Sequence, residues 1–264
     1  MSRLHEVFAE AKAEDRAALI AYLPAGFPSV DGAIDAILAM VENGVDIVEI
    51  GLPYSDPLMD GPTIQAAVEA ALLGGTKIRD VLATVEAVAA TGAPTLVMSY
   101  WSPIERYGPA AFANDLAKAG GAGVITPDLT PEEAGPWIAA SDAAGIDRVF
   151  LVAPSSTAER IAVVCSITTG FVYAASLMGV TGVASVSAAA PLLVERTRPS
   201  AGVPIAVGLG VSTAAQAHDI AAYADGVIVG SAFVRLLLDA ASASEGVAAV
   251  GRLAADLARG VRRT

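Results

Sequence analysis

The chain has 264 residues and a formal charge of −12, and its Lys and Arg total only 16, which excludes a basic surface suited to phosphodiester backbones or anionic lipid. Every apolar run is broken by a charge, Gly or Pro well short of the roughly 20 residues that a membrane helix needs. Cys165 stands alone, which excludes a disulfide framework and a thiolate metal site.

The N-terminal stretch MSRLHEVFAEAKAEDR places Leu4, Val7 and Phe8 at helical spacing and is charged throughout, unlike a signal peptide, so a cytoplasmic location is expected. The run AALIAYLPAGFP predicts a buried strand over residues 18–23. Ser29 then caps a helix whose face is Val30, Ile34, Ile37, Leu38 and Val41, and Asn43-Gly44 supplies its stop. In the second strand, VDIVEIG, alternation puts Ile47, Glu49 and Gly51 on one face, so a carboxylate occupies a row otherwise filled with hydrophobes. A loop stiffened by Pro53, Pro57 and Pro62 follows, carrying Asp56 and Asp60. It leads into an extra helix over 62–73, ahead of a regular one over 76–91.

Strand-like runs recur at TLVMSY, AGVITP, RVFLVAP, GFVYAAS, PIAVGLG and GVIVGS. Helix starts are expected at Thr130-Pro131-Glu132-Glu133, at Ser156 with Glu159 and at Thr213 with Gln216. Cys165 falls beside Ile161 and Val164 in a helix, as a small buried hydrophobe. The Gly-, Ser- and Thr-rich connection over residues 178–187 reads as a candidate lid.

Eight apolar strands alternating with helices fit an α/β fold, a (β/α)8 TIM barrel of about 250 residues. It would occupy residues 1–264 as one domain, with an extra N-terminal helix and an extra helix after the second strand. A doubly wound sheet is the alternative, but Pro24-Ala25-Gly26-Phe27-Pro28 is no dinucleotide fingerprint.

Barrels of this kind work at strand C-terminal ends. The ionisable residues there are Glu49, Asp56, Asp60 and Asp128, joined by Tyr22, Tyr100 and Tyr173. Lys12, Lys77 and Lys118 lie in helical stretches, so no strand-end lysine is available for a Schiff base, and His5 and His218 fall on helices, which argues against a metal site. The carboxylates allow two readings: an acid/base pair, or Glu49 paired with an arginine while Asp56 and Asp60 hold turns. Gly208-Leu209-Gly210 and Gly230-Ser231 end the last two strands, where backbone amides and a helix N-terminus can cradle a phosphate; simple turn requirements are the alternative.

The stretch Glu49-Ile50-Gly51-Leu52-Pro53-Tyr54-Ser55-Asp56-Pro57-Leu58-Met59-Asp60-Gly61-Pro62-Thr63-Ile64-Gln65 closely resembles the signature of the tryptophan synthase α subunit family. Gly179-Val180-Thr181-Gly182 and the two later glycine motifs resemble that family's lid and phosphate segments, in order along the whole chain. The resemblance implies a lyase that cleaves indole-3-glycerol phosphate to indole and glyceraldehyde 3-phosphate by a retro-aldol step in tryptophan biosynthesis. It implies an α2β2 complex whose β subunit holds pyridoxal phosphate, with no cofactor in this chain. By position, Glu49 matches the acid/base at C3 and the adjacent hydroxyl, and Asp60 the acid at the indole N–H. Tyr22, Ile64, Tyr100, Ile125, Tyr173 and Thr181 match residues that line or close the site, and Gly182, Gly208, Gly210, Gly230 and Ser231 match the phosphate cradle. Leu177-Met178 stand where many members carry an arginine, and phenylalanine is commoner than Tyr22 and Leu209 at their positions. Burial should raise the Glu49 pKa while the loop acid stays ionised. A sugar-phosphate isomerase on the same barrel and a non-catalytic regulatory subunit are the alternatives.

Overall fold

The computed structural model describes residues 2–175, 189–208 and 210–263. Its strands are β1 (Ala18–Pro24), β2 (Ile47–Gly51), β3 (Thr95–Met98), β4 (Gly123–Ile125), β5 (Asp147–Val149), β6 (Leu151–Val152), β7 (Val172–Ala175), β8 (Ile205–Gly208) and β9 (Gly226–Val229). All pair in parallel, in the order β5-β4-β3-β2-β1-β9-β8-β7-β6. Only Phe150 separates β5 from β6, the two ends of that order, so the sheet closes through the chain itself. The Phe150 carbonyl still accepts the Tyr173 N–H at 3.1 Å, and the Val149 carbonyl accepts the Thr126 N–H at 3.3 Å. The fifth of the eight expected strands is therefore present in two pieces, and the fold is the TIM barrel that the alternation predicts.

Period-2 alternation divides the strand residues between two cores. Ile20, Ile47, Leu96, Ile125 and Phe171 fill the inside, where Leu4, Val7, Phe8 and Ala11 of helix α1 (Arg3–Ala13) join them. The amphipathic N-terminal helix thus packs its apolar stripe against the barrel interior, with the Phe8 and Phe171 rings 5.8 Å apart. The intervening residues, such as Leu19, Ala21, Val48, Ile50, Val97 and Val124, pack outward against the helical shell. On the N-terminal side of the sheet, Asp46 receives Arg16 through two bonds of 2.6 and 3.0 Å and the Leu19 N–H at 2.8 Å, fastening the start of β1 to that of β2.

The shell begins with α2 (Val30–Glu42), where Ser29 Oγ accepts the Gly32 N–H at 3.0 Å and Gly44 leaves the helix at φ +99°. The extra helix α3 (Pro62–Leu73) has the expected bounds, with proline in its first turn, and α4 (Ile78–Ala89) follows it. After β3 the chain makes two helices, α5 (Trp101–Tyr107) and α6 (Pro109–Lys118), because Gly108 at φ +97° followed by Pro109 interrupts what would otherwise be one. The helix expected at Thr130 instead begins at Gly135 as α7 (Gly135–Ala144), and Thr130 to Glu133 form a turn closed by Glu133 N–H to Thr130 C=O at 3.1 Å. Pro136 explains the shift: a helix started at Pro131 would carry it in the interior, where it lacks a donor and clashes with the preceding turn, whereas at Gly135 it sits in the first turn.

In α8 (Ala158–Ile167) the cap is Thr157, whose side chain accepts the Arg160 N–H, and not Ser156, whose hydroxyl is already taken by the Ala153 N–H at 3.0 Å. Cys165 is buried in α8 as expected. The remaining helices are α9 (Ala189–Thr197), α10 (Ala214–Ala221), α11 (Ser231–Asp239) and α12 (Ala243–Gly260), and Thr213 caps α10 through the Gln216 N–H as expected. Among the described residues no helix is long and apolar enough to cross a membrane.

Candidate active site

The C-terminal end of the barrel collects the acids and phenols. Glu49 lies on β2 between inward-facing Ile47 and Gly51, in register with Tyr22 on one side and Leu96 on the other. It is 0% exposed, and neither carboxylate oxygen has a hydrogen-bond partner among the described residues. The arginine pairing left open by the sequence is therefore not made there. A charge so placed loses its hydration without compensation, and burial alone pushes the Glu49 pKa up to about 8.

The loop acids separate by what they touch. Asp56 is exposed and accepts the Ser55 hydroxyl at 2.6 Å, a turn contact. Asp128 accepts the Trp101 N–H at 2.9 and 3.1 Å, so it caps the start of α5. Asp60 differs, because its carboxylate receives a hydrogen bond from the Tyr100 hydroxyl. That hydroxyl accepts the Met59 N–H at 3.0 Å, which leaves its single proton for Asp60. Desolvation raises the Asp60 pKa and the bond from Tyr100 opposes it, with desolvation the larger effect. Burial, countered by the Met59 amide and reinforced by the Asp60 charge, pushes Tyr100 up to about 12. The Tyr54 ring packs on Tyr100 with centroids 5.7 Å apart.

Tyr22 joins the two acids. Its pKa is driven well above the ordinary phenol value by burial first and then by the charges of Asp60, Tyr100, Glu49 and Tyr173, so all four groups lie within electrostatic reach of it. Tyr173 is raised likewise by burial and by Glu49. Both phenols rest on glycines: a Cβ on Gly51 would lie 2.3 Å from the Tyr22 hydroxyl, and one on Gly208 would lie 2.4 Å from that of Tyr173. Ile125 belongs to the inner cluster, with Met98 packed against it, whereas Ile64 packs in the outer layer with Leu52.

Of the residues expected to form an anion cradle, Gly208, Gly210, Gly230 and Ser231 at the ends of β8 and β9 are among the described ones. Gly210 adopts φ +59°, in the left-handed region that glycine favours. Gly230 is the N-cap of α11 and has no side chain to offer, and among the described residues no side chain caps the first amides of α11, beginning at Ser231. Gly230 also lies under the Tyr22 ring, 3.2 Å from where its Cβ would be, which puts this helix start beside the phenol within electrostatic reach of both acids. Thr181, Gly182, Leu177, Met178, Leu209 and the candidate lid lie outside the described residues. Among the described residues no cluster of His, Cys, Asp and Glu could hold a metal ion.

A family model described as tryptophan synthase alpha chain matches residues 8–261. The chain belongs to the tryptophan synthase alpha chain family. The alpha chain of Thermobifida fusca is 60% identical over 266 residues, covering 99% of this chain and 98% of that one. The alpha chain of Nocardia farcinica is 58% identical, covering 99% and 96%. A solved structure of Mycobacterium tuberculosis tryptophan synthase superimposes with a TM-score of 0.93 at 56% identity, over 99% of this chain and 98% of that one. The alpha subunit from Legionella pneumophila does so at 0.91 with 30% identity, over the full length of both. The tryptophan synthase alpha chain barrel is thus shared with structures down to 30% identity. Two contacts here were not foreseen from the sequence: Tyr100 as the hydrogen-bond donor to Asp60, and the packing of Tyr54 on it. Each depends on a loop and a strand end that only the fold brings together.

Proposed function

We propose that the chain cleaves indole-3-glycerol phosphate to indole and glyceraldehyde 3-phosphate, as a carbon–carbon lyase of tryptophan biosynthesis, with Glu49 and Asp60 as its catalytic residues. The observation that carries this reading is the buried Glu49 carboxyl, without a partner among the described residues and with a pKa near 8, within electrostatic reach of the same phenol as Asp60. A carboxyl of that pKa is both a competent acid and a competent base near neutral pH.

In the reaction protonated Glu49 gives its proton to indole C3, which leaves positive charge on the ring nitrogen. Asp60, held as an acceptor by Tyr100, stabilises that charge through the N–H. The Glu49 carboxylate then removes the proton of the adjacent hydroxyl. The oxygen lone pair becomes the aldehyde C=O, and the carbon–carbon pair returns to the ring, so one proton is delivered, one is recovered and Glu49 ends as it began. Tyr22, Ile64, Tyr100, Ile125, Tyr173 and Thr181 would line or close the site. The uncapped start of α11 at Gly230 and Ser231, with Gly182, Gly208 and Gly210, would hold the phosphate through amides.

The chain would act as one barrel domain in the cytoplasm, in an α2β2 complex with a β subunit, and pyridoxal phosphate would belong to that partner alone. Leu58 at 74% and Met59 at 41% exposure, on the loop beside Asp60, offer apolar surface for such a contact. Among the described residues nothing favours an isomerase, and a regulatory subunit would have no use for a buried acid. The test replaces Glu49→Gln and Asp60→Asn separately and follows indole release. Each should cost about 100-fold or more, and a folded Glu49→Gln protein with near-normal turnover would end the assignment.

A further inference from the structure

The two ends of the site are carried by different helices, and one side chain joins them. Arg235, on α11, donates from Nη2 to the Thr63 hydroxyl of α3 at 2.6 Å. Thr63 lies in the first turn of α3, 7% exposed, and the same turn holds the acid loop: the Gln65 side chain donates to the Asp60 carbonyl at 2.6 Å. On the other helix Arg235 stands one turn beyond Ser231, and helical side chains lean toward the N-terminus, so Arg235 lies over the turn that begins at the uncapped amides. Arg235 has no carboxylate partner among the described residues, although the chain is rich in acids. A guanidinium committed to a neutral hydroxyl fixes distance and angle between two helices without neutralising its charge.

We propose that Arg235 is a positioning residue that ties the phosphate-seating helix to the helix carrying the Asp60 loop, so that an occupied phosphate seat fixes the acid over the indole ring. The inference rests on the phosphate and Asp60 assignments above. An anion at the first amides of α11 pulls on that helix, α11 moves with Arg235, and Arg235 holds Thr63, whose helix anchors the Asp60 backbone through Gln65. Binding of the part of the substrate remote from the broken bond thereby orders the catalytic group, which raises kcat instead of lowering KM alone.

The test cuts the substrate in two. The full-length chain is given indole-3-glycerol, which lacks the phosphate, with and without millimolar inorganic phosphate, and the readout is the ratio of the two rates of indole release. The ratio cancels any general loss of rate or of folded protein. The wild type should be accelerated roughly tenfold, within the range of ordinary coupling between two sites. Arg235→Met and Thr63→Val should bring the ratio close to one, and Thr63→Ser, which keeps the hydroxyl, should restore it. A wild-type ratio of one, or a full ratio in either Arg235→Met or Thr63→Val, would overturn the strut. Asp60→Asn in the same assay separates the two levels: if it cleaves indole-3-glycerol as fast as the wild type, the assignment of the acid fails, and if it is inactive while Arg235→Met keeps the full ratio, only the strut fails.

Discussion

Glu49→Gln should make the protein more stable as it destroys activity, and the gain should depend on pH. In the unfolded chain this carboxyl titrates near 4.5, and in the folded barrel near 8. Because the folded value is the higher one, the native state keeps a proton that the unfolded state has released, and stability falls as pH rises between those values. At about 1.4 kcal/mol per pH unit, the cost of the ionisable group is about 1 kcal/mol at pH 5, about 3 kcal/mol at pH 7 and about 5 kcal/mol at pH 9, where the folded group has itself ionised. Glutamine, with nearly the same shape, has no charge to desolvate, so its advantage over glutamate should grow along that series. Urea unfolding of the two proteins at the three pH values measures it. A difference that is the same at pH 5 and pH 9 would refute the idea that the carboxyl is buried without a partner.

Tyr100→Phe removes the bond that opposes desolvation at Asp60, so the acid-side limb of the pH–rate profile should move to higher pH and kcat should fall about tenfold, the loss of one charge-assisted bond; an unmoved limb would mean that the phenol does not hold Asp60. Gly51→Ala places a Cβ 2.3 Å from the Tyr22 hydroxyl, and overpacking of this kind should cost about 1–3 kcal/mol. The Tyr22→Phe change in the same chain should recover part of that loss in a thermal melt, and an unchanged melting temperature in the single variant would contradict the packing. Leu58→Asp, on a side chain 74% exposed, should leave the isolated chain's stability unaltered and weaken binding to the β subunit at least tenfold by calorimetry; unchanged affinity would remove that loop from the interface.

Much of the barrel was legible because it rests on short-range rules. The inward face of Glu49 follows from the period of a strand, and the bounds of α3 and the Ser29 cap follow from proline and hydroxyl chemistry at helix starts. The failures occur where a second local signal competes. Thr130-Pro131-Glu132-Glu133 has the makings of a helix start, but Pro136 vetoes it. Ser156 and Thr157 are both cap formers, and the Ala153 amide decides between them by claiming Ser156. Asp56, Asp60 and Asp128 look alike in sequence, and only the fold shows that one meets a neighbouring serine, one a helix amide and one a buried phenol. The Arg235 to Thr63 bond joins residues 172 positions apart, beyond the reach of any pattern read along the chain.

A crystal structure with indole-3-propanol phosphate, which lacks the reacting hydroxyl, tests the assignment of the two acids most directly. The ring N–H should lie on the Asp60 carboxylate, C3 should face Glu49, and the phosphate should sit on the amides of Gly230 and Ser231. An analogue bound elsewhere, or a ring lying against neither carboxylate, would contradict it.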